Sequence, residues 1–315
     1  MATAKITQTA DLFSDDVLAE ESPGAWTLAF RRLSKNKMAL VSLGIIILFY
    51  LIAILAPLLA PYGDTEVHFD AITAPPAWVA GGTWKYLLGT DGLGRDVLSR
   101  LIYGSRISMT IGLIPLVFYL LIGGTVGLIS GYAGGFVDTV LMRVVDVFYA
   151  LPDLLVIITM VTFLRETFLG NLASGMVVLL AALALFSWVG TARLIRGQVL
   201  STKELSFVEA ARALGASPRR IILQHILPHV LAPVIVQMAF LVPGAIMAEA
   251  VLSFIGIGIR PPTPSWGNMI QDGYPALQTQ PAMALAPAAC IAVITLAFTF
   301  LGDGLRDAMD TRMRT

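Results

Sequence analysis

Charge is scarce in this chain: Asp, Glu, Lys and Arg make up 13% of 315 residues, and 21 acidic side chains cancel 21 basic ones. With no net charge and no basic patch, nucleic-acid binding has nothing to rest on. A single cysteine, Cys290, excludes an internal disulfide; it lies in an apolar run and is expected simply to pack. Of the three histidines, none falls within an expected membrane span, so a membrane enzyme would lack a base for its nucleophile. His225 and His229 stand four apart, a metal-compatible spacing, but Pro228 intervenes and no Cys or carboxylate lies beside them, so a structural role and no metal site are expected. No G-x-x-x-x-G-K-[ST] phosphate loop occurs, and energy from ATP would have to come from a partner. The first 21 residues carry Asp11, Asp15, Asp16, Glu20 and Glu21 against Lys5 alone, the wrong charge for the start of a secretory signal, and this end is expected to stay where it was made.

What is abundant is apolar. Hydrophobic residues are 57% of the chain and the mean hydropathy is +0.79, the balance of an integral membrane protein, here expected to be all-α. The pattern divides into a tail, residues 1–37, ending in a short interfacial helix with Trp26, Phe30, Arg31 and Arg32; a first transmembrane helix at 38–61; an external loop at 62–106, rich in Pro, Gly and charges of both signs; a five-helix core at 107–303; and a tail at 304–315. Within the core, spans are expected at about 107–131, 137–163, 172–191, 230–254 and 282–302, giving six in all. Gly123, Gly127 and Gly131 fall four apart, a small-residue stripe better suited to packing within the subunit than to a dimer seam. Placing the N-terminus in the cytoplasm puts 15 of the 21 Lys and Arg on that side and 6 on the other, which sets both termini and the loop around Glu209 in the cytoplasm.

That loop, residues 209–228, reads EAARALGASPRRIILQHILP and is a long polar interruption between spans. Ala210, Ala211 and Leu214 continue an apolar stripe from Phe207 while Glu209 and Arg212 face away, so its first arm reads as a helix that Gly215 stops. Ser217-Pro218 reads as an N-cap and first helical residue, opening a second short helix over 218–227. The two alanines and the glycine leave a face on which another protein's backbone can approach closely.

Glu209, Ala210, Ala211, Gly215, Leu227 and Pro228 resemble the EAA loop of binding-protein-dependent ABC importers, the signature that docks on the ATPase subunit, with His225 standing where the pattern has isoleucine. Three more stretches, LGTDGLGRDVLSRLIYGSRIS at 88–108, LSFIGIGIRPPTPSWG at 252–267 and LGDGLRDAMD at 301–310, with RRLSKNKMAL near the start, are similar to the second permease subunit of dipeptide and oligopeptide importers, whose relatives also carry nickel and glutathione. The resemblance runs from about Trp26 to Asp310. It implies a type I ABC importer permease fold, a coupling loop at 199–228, pairing with a second permease, two cytoplasmic ATPase subunits that hold ATP and Mg, and an external binding protein. No cofactor and no catalytic residue is expected on this chain. Cargo would be a di- or oligopeptide, or alternatively a nickel chelate, glutathione or another solute.

Three sets of charges invite a role. Asp91, Arg95, Asp96 and Arg100 form an external cluster that is either a docking face for the binding protein or a self-satisfied ionic network. Asp153, just after Pro152, and Glu249, in the run MAEAVLSF, are intramembrane carboxylates and thus candidates for the translocation path, Glu249 as acceptor of a cationic group of the cargo. At the proline break Asp153 has the alternative of bonding freed backbone amides, and Glu249 that of pairing with the sister permease. A proton-coupled secondary transporter, the rival reading, would use Asp146, Asp153 and Glu249 as a relay.

Overall fold

In hydrocarbon a helix satisfies its own backbone groups, and the apolar runs of this chain take that form. The computed structural model describes residues 25–310. Among these, extended pairing is confined to one isolated bridge between Thr90 and Asp96. Residues 1–24 of the expected tail therefore lie outside the described residues; its helix α1 (Ala25–Leu33) is present and packs beside the far end of the chain, Arg32 donating to the carbonyl of Asp310 at 2.8 Å. Helix α2 (Lys37–Ile54) starts at Asn36, whose side chain accepts the Ala39 N–H and caps the first turn.

Five stretches are long and apolar enough to cross a membrane: Lys37–Ile54, Val97–Ala133, Phe168–Thr202, Pro218–Phe254 and Ala282–Met309. The second consists of α3 (Val97–Phe118), a π-turn over Tyr119–Gly123, and α4 (Gly124–Ala133). The expected external loop therefore ends ten residues early. Asp96 caps α3, its carboxylate accepting the Ser99 N–H at 2.7 Å, and Arg100, which reads as loop by its charge, lies inside the helix with its guanidinium held by carboxylates. The expected third span is two helices, α5 (Gly135–Ala150) and α6 (Asp153–Leu164), bent by 79°; counted as one, they make the sixth crossing. Leu151 precedes Pro152 and is forced out of the helical region, to ψ 133°, and Pro152 cannot continue the backbone ladder. The fourth crossing breaks too: α7 (Met176–Phe186) ends at Ser187, and α8 (Val189–Thr202) continues past the expected limit at 191.

After the surface helix α9 (Ser206–Ala213) the chain enters α10 (Leu227–Phe254). A short helix, α11 (Trp266–Gly273), with a capping box at Ser265 and Asn268, precedes α12 (Ala282–Met309). That last helix continues through residues 304–309, expected as tail, because Gly304 lets it close on α2: a Cβ there would stand 2.5 Å from that of Ala39.

The main core lies among α2, α3, α10 and α12, around Met109, Val242, Ile246, Ile294 and Phe298, with Trp266 of α11 buried in it and donating from Nε1 to the Leu101 carbonyl at 3.2 Å. A second cluster, Ile111, Val161, Leu179, Leu183 and Leu252, joins α6 and α7 to that core. Leu51, Ile54 and Leu58 face outward, as do Val137 and Val147, which suits a hydrocarbon solvent. Apolar surface gains nothing by leaving lipid, so close packing must hold the helices. The glycine stripe supplies it. Gly123, Gly127 and Gly131 face α8, where a Cβ would lie 2.6 Å from the Trp188 carbonyl, 2.6 Å from the Ala192 carbonyl and 2.7 Å from the Val199 side chain. The stripe is thus a seam within the subunit.

Candidate functional site

The hairpin around Glu209 is rooted in a small core of its own. Val208, Ile221 and Ile226 are buried against Ile195, Val199, Val230 and Val234, and the Phe207 ring stacks on His229 at 4.8 Å. Helix α9 ends in a Schellman closure: Gly215, at φ +80°, donates to Arg212, and Ala216 donates back to Ala211. The Ser217 hydroxyl then accepts the Arg220 N–H at 3.4 Å, with Pro218 in the first helical position. Glu209, Ala210 and Gly215 are exposed; Ala211 turns inward. Leu214 departs from the expected stripe and stands 88% exposed at the tip, an apolar knob beside a glycine whose front is open.

The second arm also departs from expectation. It is not a short helix ending at Leu227 but runs without interruption from Pro218 to Phe254. A π-turn over Ile221–Ile226 widens the coil just before Pro228, where a regular turn would set the proline ring against a carbonyl. Leu227 is half-buried and Pro228 exposed. The hairpin is therefore the direct extension of one long helix on one side and, through a short turn, of α8 on the other.

Helix α8 is clamped to α5 by two ion pairs. Arg196 grips Asp138 through Nε and Nη2 at 2.6 and 2.7 Å, and Arg193 reaches Asp146 at 2.6 Å while its guanidinium stacks 3.9 Å from the centroid of the Tyr149 ring. Ser130 of α4 also donates to Asp138, and Lys203 donates to the Gly131 carbonyl at 3.0 Å. Fork-on-carboxylate pairing fixes orientation as well as distance. These contacts escaped sequence reasoning; the one signal was Arg193 and Arg196 three apart on a helix, facing carboxylates eight apart on another.

Where α5 breaks into α6 and α7 breaks into α8, the walls part around a cavity of about 470 Å³. Tyr119, Phe148, Phe186, Ser187 and Leu241 line it, and Asp153 is the one charged residue among its lining groups. The Asp153 carboxylate accepts the Leu154 N–H at 2.7 Å, the backbone role weighed for it, and is exposed to the cavity.

Glu249 lies elsewhere. It is completely buried inside the subunit and is not among the groups lining the Asp153 cavity. Its oxygens accept hydroxyl hydrogens from Ser108 at 3.2 Å and Ser253 at 2.7 Å; those hydroxyls in turn accept the N–H of Trp266 and of Ile259, both at 3.2 Å. The carboxylate thus pins the 255–266 connection to α3 and α10. Within the subunit, burial and the serine donors leave Glu249 no open face, unlike the open position expected of a translocation-path group.

Of the two forms weighed for the Asp91 cluster, the geometry has the features of the ionic network: Asp91, Arg95, Asp96 and Arg100 are 5%, 7%, 2% and 3% exposed. Asp91 takes the Arg95 side chain at 2.7 Å and two backbone N–H groups at 2.9 Å, and lies 3.6 Å from Arg100; both arginines also reach Asp272 at 3.5 Å. Arg100 donates further to the carbonyls of Asp64 and Pro262, at 3.4 Å each. Burial sets the Asp272 carboxyl above the usual range, against the pull of Arg100 and Arg95, and does the same to Asp96 against its bonds from Ser99. The network ties the external segment to α3 and α11. Asp91→Ala leaves two buried guanidinium groups sharing the single, partly exposed Asp272 carboxylate and is expected to cost about 3 kcal/mol, read as a lowered thermal midpoint of the detergent-solubilised protein.

Among the described residues no group of three His, Cys, Asp or Glu could hold a metal ion. Taken together, five membrane-length helices and a bent pair that can make a sixth crossing, a rooted surface hairpin, broken helices around a cavity and ion pairs joining the two describe a helical membrane subunit. Residues 123–315 match the binding-protein-dependent transport system inner membrane component, and residues 24–76 match the N-terminal TM domain of oligopeptide transport permease C. The chain belongs to this family of ABC importer permeases. It is 41% identical to the dipeptide transport system permease protein DppC of Haemophilus influenzae, over 89% of this chain and 92% of that one. With the oligopeptide permease OppC of Bacillus subtilis it shares 37% over 94% and 93%, and with the glutathione permease GsiD of Pectobacterium atrosepticum 36% over 92% of each. The fold is that of a type I importer permease: an inward-facing structure of the MetNI methionine ABC transporter superposes with a TM-score of 0.52 at 19% identity, covering 66% of this chain and 96% of that one.

Proposed function

We propose that this chain is one of two permease subunits of an importer that moves di- or oligopeptides inward, driven by ATPase subunits docked on the hairpin 199–228. Peptide cargo is supported by the names of the relatives at 36–41% identity. ATP and Mg are held by the ATPase partners, an external binding protein delivers the cargo, and both termini lie with the hairpin in the cytoplasm, as the Lys and Arg distribution favours.

The observation that carries the coupling role is the combination of Leu214 and Gly215: an exposed apolar residue and a bare backbone at the tip of an arm rooted in its own core. A push on that tip acts on α8. Through Arg196–Asp138 and Arg193–Asp146 it moves α5, whose far end is the break that walls the cavity. Alternating access then follows from rocking α5 and α8 together against the rest of the bundle.

Two experiments test this. The chain purified from membranes should bring ATPase subunits with it, and peptide uptake into vesicles should stop without ATP; uptake that persists on a proton gradient alone would favour the secondary-transporter reading. For the clamp, Arg196→Ala is expected to lower uptake per ATP hydrolysed about tenfold, with Arg196→Lys intermediate because it keeps the charge but loses the fork. Unchanged coupling in Arg196→Ala would remove the clamp from the mechanism.

A further inference from the structure

Resting on the importer reading, we propose that the cavity between the broken helices is a cation-selective subsite in which Asp153 receives the ammonium group of the cargo. The cavity, at about 470 Å³, has the size of a small-molecule site. Its walls are apolar and aromatic, and the Phe148 and Phe186 rings lie 5.7 Å apart. Two glycines keep it open: a Cβ built at Gly190 or Gly244 meets nothing within 4 Å, although both lie on helices otherwise covered with side chains.

The charge balance decides the class of solute. Arg193, whose guanidinium stacks on the Tyr149 ring of the lining, is held by Asp146. Asp153 enters no ion pair among the described residues, and Leu154 N–H occupies only one of its oxygens. An ionised carboxylate at membrane depth costs several kcal/mol unless water or a cation compensates it. An anionic solute would be repelled by it; a primary ammonium would be drawn to it and to the surrounding ring faces. The apolar remainder of the wall fits the side chains of a peptide whose amino terminus sits on Asp153. Glu249, sealed behind serines, cannot do this.

Charge-selective thiol labelling tests the subsite without reference to any cargo. In the assembled complex in membrane vesicles, Cys290→Ser removes the native thiol and Gly244→Cys places a reporter on the wall. The rates of a trimethylammonium and a sulfonate methanethiosulfonate reagent are compared with those on a free thiol. One uncompensated carboxylate in a partly dry site should favour the cationic reagent by about tenfold or more; Asp153→Asn should abolish the preference and Asp153→Glu restore it. Gly190→Cys provides a second reporter on another helix. No cationic preference, or a preference that survives Asp153→Asn, overturns the proposal. So does undiminished uptake of the dipeptide Ala-Phe by an Asp153→Asn complex that assembles normally, where about a tenfold loss is expected. Absence of ATP-driven uptake in the unmodified complex would instead overturn the importer reading, and the labelling ratio would still decide the charge preference.

Discussion

Replacing Gly215 by valine is expected to reduce ATP-driven uptake to background while the protein remains in the membrane at its normal level. Gly215 sits at φ +80°, where a side chain meets its own backbone, and a β-branched residue is the worst choice. The penalty is about 1–2 kcal/mol, too little to unfold a bundle whose cores lie elsewhere but enough to spoil the turn that sets Leu214. Within the chain a Cβ here touches nothing, so any further effect of bulk must come from a partner. Gly215→Asn separates the two causes, because asparagine tolerates the left-handed region while still adding bulk. If docking is what matters, Asn fails nearly as badly as Val; if only the turn matters, Asn is close to wild type. Normal substrate-stimulated ATPase activity in Gly215→Val would sink the coupling role altogether.

Parts of this molecule were legible in its sequence for physical reasons that can be named. Uncharged runs mark spans because a membrane tolerates few charges, and they fall on the long helices though not at every expected end; glycine at a helix stop has a specific backbone geometry, and Gly215 stands where the pattern put it. Hydropathy failed at α3, whose first turns carry Arg100: a charge neutralised by Asp91 and Asp272 from other segments does not look buried in one dimension. It also merged α5 and α6, since Leu151 and Pro152 are apolar and interrupt the backbone without interrupting the hydrophobicity. Glu249 and Asp153 look alike in sequence, each an acid among apolar neighbours. Pro152 marks a break beside Asp153 in the sequence, but only the fold opens a cavity there and places Ser108 and Ser253 over Glu249. The Arg193 and Arg196 clamps were beyond reach because their carboxylates come from a helix some fifty residues earlier.

Gly127→Leu is expected to remove most of the assembled protein. Gly127 lies where α4 meets α8. In lipid the two helices gain little from hiding apolar surface, so their association rests on how closely the backbones approach. At Gly127 a Cβ would stand 2.6 Å from the Ala192 carbonyl oxygen and within 3.0 Å of the Ile195 side chain, and a backbone oxygen within a helix cannot step aside. Leucine must therefore push the helices apart along the whole stripe, from Trp188 to Val199, and pull Ser130 of α4 away from Asp138, the carboxylate that Arg196 grips. Overpacking of this kind costs about 1–3 kcal/mol even where neighbours can shift, and here they cannot. Gly124→Ala is the control: its Cβ would meet only the tip of Ile195, at 3.8 Å, and it should be tolerated. The measurement is the yield and thermal midpoint of the solubilised complex for both variants. Comparable yields of Gly127→Leu and Gly124→Ala would show that the seam is looser than its geometry requires, and that the two helices are held by something other than contact.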